Sequence, residues 1–341
     1  MNRKRTQRAQ RKPLRFGVRR EAKRHAAFPH VAANPKAVSP LRFATAVQKL
    51  RANPAVSAAE VLRAKLGATW KSGTDLLAVE EPLEIRVRGR SVAVTMRTPG
   101  HDRELVAGFL LTERIIRQRQ DLVDIATCHA SLEPDNTLDV FLKAGVEVDF
   151  AALTRHVFAT SSCGLCGKAS IEAVKQHFPP VDSNITVTAK TLARLPERMR
   201  QAQAAFSQTG GLHAAAIFDA WGKLIVLRED VGRHNAVDKV IGFGFLEKKL
   251  PFVSHVLLVS GRASFEILQK SLAAQIPIIC AVSAPSSLAV AFARASGQTL
   301  IGFLRGETMN LYAGPGRIIF DSARKPGRIP VSRSSGQRNR V

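Results

Sequence analysis

Two cysteines three residues apart, Cys163 and Cys166, form the most reactive pattern in the sequence. They stand in the segment SSCGLCGK, in which a glycine follows each cysteine and leaves the backbone free to turn. An apolar-periodic run comes next, so the segment is predicted to open a helix. The unpaired N–H groups at a helix start favour a nearby thiolate, and Lys168 adds a positive charge. The pattern therefore predicts sulfur chemistry on a glycine-flanked loop.

Three other roles are compatible with this CxxC pair. A structural zinc site needs four ligands, and the other cysteines, Cys128 and Cys280, lie far away without partners at ligand spacing. A thioredoxin-type dithiol belongs to a strand–helix–strand unit near a chain start, which matches this position poorly. Two incidental core cysteines are the third alternative, although buried cysteine rarely lies between glycines. The residues favour sulfur chemistry, leave the alternatives open, and predict no metal site.

Polar residues also collect in four loops of the C-terminal half, each predicted to follow a strand. In α/β sheets, ligands bind outside the carboxyl ends of strands, where helix N-termini offer N–H groups to anions. One loop places Ser260, Gly261 and Arg262 before a predicted helix, which indicates a phosphate cradle. A single loop of this kind is as often a capped turn, but four at one sheet edge favour a shared phosphate-bearing ligand. The loops are 228–235, 260–264, 283–287 and 303–308.

Two histidines, His213 and His234, belong to the same group of residues. A lone histidine is more often a core or capping residue than a catalyst, and Asp230 is placed to orient His234. His213 lies in a segment that can be compared with the H-x-E motif of zinc deaminases. Ala215 stands where that motif needs glutamate, and the CxxC lies upstream instead of downstream. Zinc-dependent deamination is therefore disfavoured.

The elements that position these residues begin, by prediction, near Trp70. Alternating stretches around Gly89-Arg90 predict a hairpin, and Asp102 is the predicted N-cap of a helix. Further strands are predicted around Ile125 and over residues 138–142. Together these elements predict a small α+β unit that ends with the CxxC loop and its helix.

The C-terminal half shows a more regular alternation. One helix carrying Leu192, Leu195, Met199 and Phe206 leads into a hairpin that turns at residues 219–222. The order α-β-β-α-β-α-β then predicts a mixed sheet covered by helices, an α/β fold. The predicted helices and strands are 235–240, 255–260, 265–274, 276–282, 286–295 and 299–303.

Length and charge divide the chain further. It has 341 residues and a formal net charge of +24. Most of this charge lies in the tails, because residues 1–68 hold 17 Lys or Arg against two Glu, and residues 321–341 hold six against one Asp. We predict a basic, disordered extension over 1–68, with a short helix within 41–66, and a basic tail over 321–341. The α+β domain takes 69–180 and the ligand-binding domain 181–320.

The composition predicts a cytoplasmic protein without membrane contact. The N-terminal tail has no apolar run long enough for a secretory signal, and the most apolar window, 276–293, is divided by serines and Pro285. Four cysteines at uneven spacing do not form a disulfide scaffold, so Cys128 and Cys280 are predicted to be buried. The basic tails are also compatible with an organelle transit peptide or with non-specific attraction to nucleic acid.

Six motifs together resemble the formate dehydrogenase accessory sulfurtransferases, the FdhD/NarQ family. The similarity runs in order from about residue 75 to 315, through long and unusual segments, so it is specific; the tails lie outside it. The motifs are SSCGLCGKASIE, GGLHAAAIF, LREDVGRHNAVDKVIG, LLVSGRASFEILQK, AVSAPSSLAV and GFLRG.

The resemblance implies a function for the CxxC pair and for the predicted phosphate-binding loops. Members of the family take persulfide sulfur from a cysteine desulfurase and deliver it to the molybdenum cofactor, bis(molybdopterin guanine dinucleotide), before its insertion into formate dehydrogenase. It implies that Cys163 carries the persulfide beside its partner Cys166. It also implies a cytidine deaminase-like C-terminal domain and a homodimer. A cofactor-binding chaperone, whose CxxC is only a redox latch, is the alternative function.

The resemblance also implies which residues hold the cofactor. The stretch 303–308 matches the family's binding segment, but some relatives have a second basic residue where Glu307 or Thr308 stands here. Arg262 or Arg305 is expected to replace that phosphate contact. The predicted binding residues are Phe303, Leu304, Arg305, Gly306, Glu307, Thr308, Arg262, Ser260, Gly261, His213 and His234.

Overall fold

Within its described residues, the N-terminal half of the protein forms two small sheets and one α-helix. The computed structural model describes residues 53–66, 69–150 and 178–320. A two-stranded antiparallel sheet comes first in the chain. A four-stranded mixed sheet follows, and in it the first and the last strand along the chain lie side by side and parallel. The elements are β1 (Val56–Arg63), β2 (Lys71–Ala78), β3 (Glu81–Val87), β4 (Arg90–Arg97), α1 (Asp102–Thr112), β5 (Leu122–Thr127) and β6 (Thr137–Leu142).

The C-terminal half is built on a six-stranded mixed sheet. Its elements in chain order are β7 (Val187–Thr188), α2 (Ala189–Ala193), α3 (Leu195–Ala202), α4 (Ala204–Thr209), β8 (His213–Asp219), β9 (Leu224–Asp230), α5 (Arg233–Leu246), β10 (His255–Val259), α6 (Phe265–Ala273), β11 (Ile278–Ala281), α7 (Ser287–Ala295), β12 (Thr299–Arg305), β13 (Thr308–Ala313) and β14 (Ile318–Ile319). The sheet order is β13-β12-β11-β10-β8-β9, with β10, β11 and β12 parallel. This arrangement confirms the predicted α/β class.

Both faces of the six-stranded sheet are covered, which explains its continuous apolar strands. Ala215 and Ile217 of β8 belong to a core shared with α1, α5, α6, α7 and the four-stranded sheet. The alternate residues Ala216 and Phe218 belong to a second core with α2 and α3. None of the helices in the described ranges is long and apolar enough to cross a membrane.

Two predictions were wrong. The extension over 1–68, predicted to be disordered, contains a strand before Trp70: β1 pairs with β2 along eight residues, and buried Val56 packs with Ala205 and Leu212. Residues 41–52 lie outside the described residues, so a short helix there stays a prediction. The single helix through Leu192 and Phe206 is three helices, α2 to α4. Cross-strand pairing and local backbone geometry outweigh helical periodicity at these two places.

The helix interruption has local causes. Pro196 stands in the first turn of α3, where a proline is tolerated only at a helix start. Gln203 between α3 and α4 has φ −78° and ψ 81°, outside the helical region. Asp102 is likewise not a cap: His101 precedes α1 in the left-handed region, and the Asp102 carboxylate lies 3.2 Å from Arg97.

Two glycines allow α1 and α5 to cross with their backbones in contact. A Cβ on Gly108 of α1 would overlap the Asp238 carbonyl oxygen of α5, and a Cβ on Gly242 would overlap the Glu104 carbonyl oxygen of α1. Only glycine fits at either position without moving a helix. The crossing therefore sets the distance between the N-terminal sheet and the C-terminal sheet.

Buried ion pairs surround the crossing. Lys270 of α6 donates to Asp238 Oδ2 at 2.8 Å and to Thr112 Oγ1 of α1 at 2.9 Å. Burial alone lowers the pKa of Lys270, but the Asp238 carboxylate outweighs it and raises that pKa, so the amine stays charged. Lys239 of α5 forms a second pair with Asp230 at 2.7 Å.

We expect Gly108→Ala to lower the free energy of unfolding by about 3 kcal/mol, because the new methyl group forces the helices apart. Urea unfolding followed by far-UV circular dichroism measures this loss. Gly316→Ala is the control, since no heavy atom lies within 4 Å of the added Cβ. Equal stability of the two variants would show that the helices adjust freely.

Lys270→Met is expected to cost about 3–5 kcal/mol in unfolding free energy, because it leaves the Asp238 carboxylate buried without its cation. Adding Asp238→Asn in the same chain removes that charge and should recover part of the loss. Urea denaturation of the two single variants and the double variant gives the coupling energy. Strictly additive losses would contradict a direct ion pair.

Candidate functional site

A cavity of about 670 Å³ lies at the carboxyl edge of the three parallel strands. His213 at the start of β8, Ser260 after β10, Val282 after β11 and Arg305 at the end of β12 reach this edge together. The opposite wall is formed by α2, α3 and α4. The lining residues are Ala193, Pro196, Glu197, Met199, Arg200, Gln203, Phe206, Gly210, Gly211, Leu212, His213, Ser260, Val282, Leu304, Arg305 and Gly306.

Five of the predicted binding residues line this cavity. They come from three segments that lie 40 or more residues apart in sequence, and they meet because β8 begins at the edge where β10 and β12 end. Gly261 is adjacent, because a Cβ built on it would lie 3.4 Å from His213 Nδ1. The five are His213, Ser260, Leu304, Arg305 and Gly306.

The segment 303–308 is a tight turn that aims Arg305 at the cavity. Phe303 has φ 52°, a left-handed conformation, and its N–H donates to the Ser283 carbonyl at 3.1 Å. Arg305 Nε donates to the Val282 carbonyl at 2.9 Å, which leaves the rest of its guanidinium for other contacts. Leu304 is fully buried and supplies only an apolar wall.

The other members of this turn do not line the cavity. Phe303 is partly exposed, and the Arg305 guanidinium lies 5.9 Å from its ring. Thr308 Oγ1 donates to the Arg305 carbonyl at 2.9 Å, so its hydroxyl closes the turn. Glu307 is exposed. The turn therefore delivers one cation to the cavity.

His234 belongs to a separate polar cluster beside the edge. Its Nε2 lies 2.8 Å from Glu266 Oε2 and 3.2 Å from Ser264 Oγ, at the start of α6. The predicted orientation of His234 by Asp230 is wrong: Asp230 is fully buried and paired with Lys239 instead. The Glu266 carboxylate in the first turn of α6 also disfavours an anion at that helix start, which leaves Arg262 as the cationic part of the predicted cradle.

Positive charge surrounds His213. Burial lowers the pKa of His213, and the nearby Arg233, His234 and Arg262 lower it further, whereas Asp230 opposes them. Its imidazole is therefore neutral near pH 7 and has both a donor and an acceptor nitrogen. The Ser260 hydroxyl accepts from the Ala214 N–H at 2.9 Å, which ties this loop to β8 and leaves the O–H as a donor.

The wall made by α3 and α4 was not predicted as part of the site. Arg200 lies with its guanidinium 4.7 Å above the Phe206 ring, and Gln203 is only 3% exposed. The sequence shows polar residues between apolar ones, a pattern typical of a solvent-facing helix side. Pro196 was the one available signal that this helix is interrupted.

Cys163 and Cys166 lie outside the described residues, so their predicted role rests on the sequence. The two remaining cysteines are buried, as predicted. Cys280 is fully buried in β11, which raises the pKa of its thiol. Cys128 is 6% exposed, with Arg86 Nη1 3.7 Å from its Sγ.

The match to a known family covers most of the chain. The FdhD/NarQ family model matches residues 78–319, which include Cys163, Cys166 and every cavity residue. A crystal structure described as that of a formate dehydrogenase accessory protein from Desulfotalea psychrophila superposes with a TM-score of 0.63 at 25% identity. The superposition covers 78% of this chain and 100% of that one.

Relatives with closely similar sequences carry one name, sulfur carrier protein FdhD. The Mycobacterium tuberculosis protein is 53% identical over 253 residues, which is 72% of this chain and 92% of the relative. The Streptomyces coelicolor protein is 50% identical over 271 residues, covering 77% and 96%. The Sulfolobus acidocaldarius protein is 44% identical over 247 residues, covering 72% and 92%.

His213→Gln is expected to reduce the loss of stability on acidification. The unfolded chain takes up a proton at His213 near its ordinary pKa of 6.5, while the folded site resists it, so falling pH favours unfolding. Urea unfolding at about pH 7.5 and about pH 5.5 should show a smaller difference for the variant than for the unaltered chain. The exposed His129→Gln serves as the control, and an identical pH dependence for both variants would contradict the buried-imidazole assignment.

Proposed function

Because this chain belongs to the FdhD/NarQ family, we propose that it carries sulfur from a cysteine desulfurase to the molybdenum cofactor, bis(molybdopterin guanine dinucleotide), that formate dehydrogenase requires. Cys163 is the sulfur-bearing residue and Cys166 its partner. The cavity at the sheet edge binds one arm of the cofactor. The formate dehydrogenase catalytic subunit then receives the sulfurated cofactor.

One observation carries this proposal. The family match spans both the CxxC pair and the complete cavity, and relatives that are about half identical to this chain are named sulfur carrier proteins. A further solved relative is described as a formate dehydrogenase accessory protein. The CxxC pair, which favours sulfur chemistry, and the sheet-edge loops, which favour an anionic ligand, therefore both lie within the matched region.

Sulfur acceptance is a thiol–disulfide type exchange. The Cys163 thiolate attacks the terminal sulfur of the donor's persulfide, and the sulfur–sulfur bond of the donor breaks. The donor cysteine leaves as a thiolate, and Cys163 becomes a persulfide, so sulfur moves without net oxidation. Thiolate rather than thiol is the nucleophile, which suits a cysteine near Lys168 and a predicted helix start.

Sulfur release has two possible routes that differ in the role of Cys166. In one, the Cys166 thiolate attacks the Cys163 sulfur, forms a Cys163–Cys166 disulfide and expels the terminal sulfur as sulfide. A thiol reductant must then restore the pair before the next cycle. In the other, the acceptor takes the terminal sulfur directly and supplies the two electrons that reduce it, Cys163 leaves as a thiolate, and Cys166 only influences the reactivity of the persulfide.

The cavity residues fit part of such a cargo. A volume of about 670 Å³ is typical of a small-molecule site, and the full cofactor, with two pterins and two guanine nucleotides, exceeds it. Arg305 and Arg200 provide cations for phosphate groups at the rim, and the neutral imidazole of His213 provides one donor. We therefore assign one nucleotide arm of the cofactor to the cavity. In the homodimer that the family resemblance implies, the same cavity of the second subunit would hold the other arm.

We expect the purified chain to gain one sulfur atom when incubated with a cysteine desulfurase and cysteine. Intact mass spectrometry detects the gain, and a reductant removes it because a persulfide is reducible. Cys163→Ala should show no gain. Cys128→Ala, which removes a buried thiol, is the matched control and should load as the unaltered chain does.

Two outcomes would contradict the proposal. Loading of the Cys163→Ala variant would assign the sulfur to another residue. No loading of any variant by an active desulfurase would favour a cofactor-binding chaperone with a redox latch. Cys166→Ala separates the release routes, since a disulfide route predicts loading without delivery.

A further inference from the structure

Gln203 is nearly buried at the cavity wall, and its side chain forms no hydrogen bond with the described residues. The residue is 3% exposed and lines the cavity. Its backbone is satisfied, because its carbonyl accepts from the Ser207 N–H at 3.1 Å and from Ser207 Oγ at 2.7 Å. Its carboxamide makes no hydrogen bond to any residue in the described parts of the chain, and neither of its polar atoms is among the fully enclosed atoms that lack a partner there. The carboxamide therefore keeps contact with the cavity, where a ligand can form hydrogen bonds with it.

The surroundings of Gln203 suit a flat ring. Met199 and Leu304, both nearly or fully buried, line the cavity from the helical wall and from the sheet edge. Phe206 adds an aromatic surface beside the Arg200 guanidinium. Apolar walls with few convergent polar groups are typical of sites that hold a planar heterocycle and read its edge.

The position of Gln203 is fixed by the six-stranded sheet. Glu229 of β9 accepts from the N–H groups of Ala205 and Phe206, at 2.9 Å and 2.7 Å, in the first turn of α4. Gln203 is the residue directly before that helix. The backbone that carries Gln203 is therefore preorganised, so a ligand does not have to order that segment.

We propose that Gln203 reads the ring edge of the cargo, an inference that rests on the proposed function. A carboxamide presents one acceptor oxygen beside one donor NH₂ group. The 2-amino-4-oxopyrimidine edge, shared by guanine and pterin, presents a ring N–H beside a carbonyl oxygen. The two edges form a pair of hydrogen bonds, while Arg305 and Arg200 face the phosphates at the rim.

The test measures GDP binding by isothermal titration calorimetry. Gln203→Met keeps the size of the side chain and removes both polar groups, so GDP affinity should fall about tenfold to 100-fold. Pyrophosphate, which lacks the base, should bind the variant and the unaltered chain equally. Gln208→Met is the matched control, because Gln208 is exposed on α4 and its Nε2 bonds only to the Ala204 carbonyl at 3.2 Å; it should bind GDP normally.

The ring that occupies the cavity is identified by competition. Displacement of GDP by 6-hydroxymethylpterin would support the shared edge and show that the cavity accepts a pterin. Failure of the pterin to compete, with GDP still sensitive to Gln203→Met, would support the same edge and assign it to guanine.

Several results would overturn the assignment of Gln203. Equal affinity of the unaltered chain for GDP and pyrophosphate would show that no base is read, whatever the variant does. Unchanged GDP affinity in Gln203→Met would show that Gln203 does not contact the base. Binding of neither GDP nor 6-hydroxymethylpterin to the unaltered chain would show that the cavity holds no such ring. Persulfide loading of the unaltered chain, measured in parallel, separates failure of the Gln203 assignment from failure of the proposed function. If the chain still loads sulfur, only the assignment of Gln203 is wrong.

Discussion

Close contact between α1 and α5 is the constraint on which the arrangement of both halves depends. Backbone meets backbone at Gly108 and Gly242, where no larger residue fits. Each helix also belongs to a different part of the fold, since α1 packs under the four-stranded sheet and α5 under the six-stranded sheet. Fixing the two helices therefore fixes the two sheets. The ion pairs around the crossing strengthen this arrangement, because Lys270 joins α6 to Asp238 of α5 and Lys239 joins α5 to Asp230 of β9, and breaking a buried pair is costly.

The same network shapes the candidate site indirectly. Asp230 ends β9 and is held by Lys239 and by the Gly232 N–H at 2.7 Å, so the chain enters α5 in one conformation. Its neighbour Glu229 faces the other way and holds the first turn of α4. Two successive acidic residues thus connect the helix crossing on one face of the sheet with the cavity wall on the other. The broken helix α2 to α4 exists as a wall because Glu229 anchors it to the sheet edge.

Sequence periodicity predicted the C-terminal sheet well, because strands buried on both faces and their intervening helices have strong patterns. It failed where the deciding contact is distant in the chain. The strand β1 has exposed apolar residues such as Leu62 and depends on pairing with β2. The sequence around Asp230 does not indicate that this carboxylate pairs with Lys239. Of the site, the sheet-edge residues were predicted from their loops, whereas Gln203 was hidden in an apparently ordinary amphipathic helix.

The burial of the two thiols outside the CxxC pair bears on chemical fidelity. A persulfide transfers its sulfur to any accessible thiolate, so each additional reactive cysteine is a competing destination. Cys280 is fully enclosed by apolar β11 neighbours, and the low polarity there keeps its thiol protonated. Cys128 is also out of reach of a macromolecular donor, at 6% exposure. In the sulfur transfer proposed above, hydrophobic packing would therefore keep sulfur from these two thiols of the described residues, and it would supply a selectivity that the exchange reaction itself lacks.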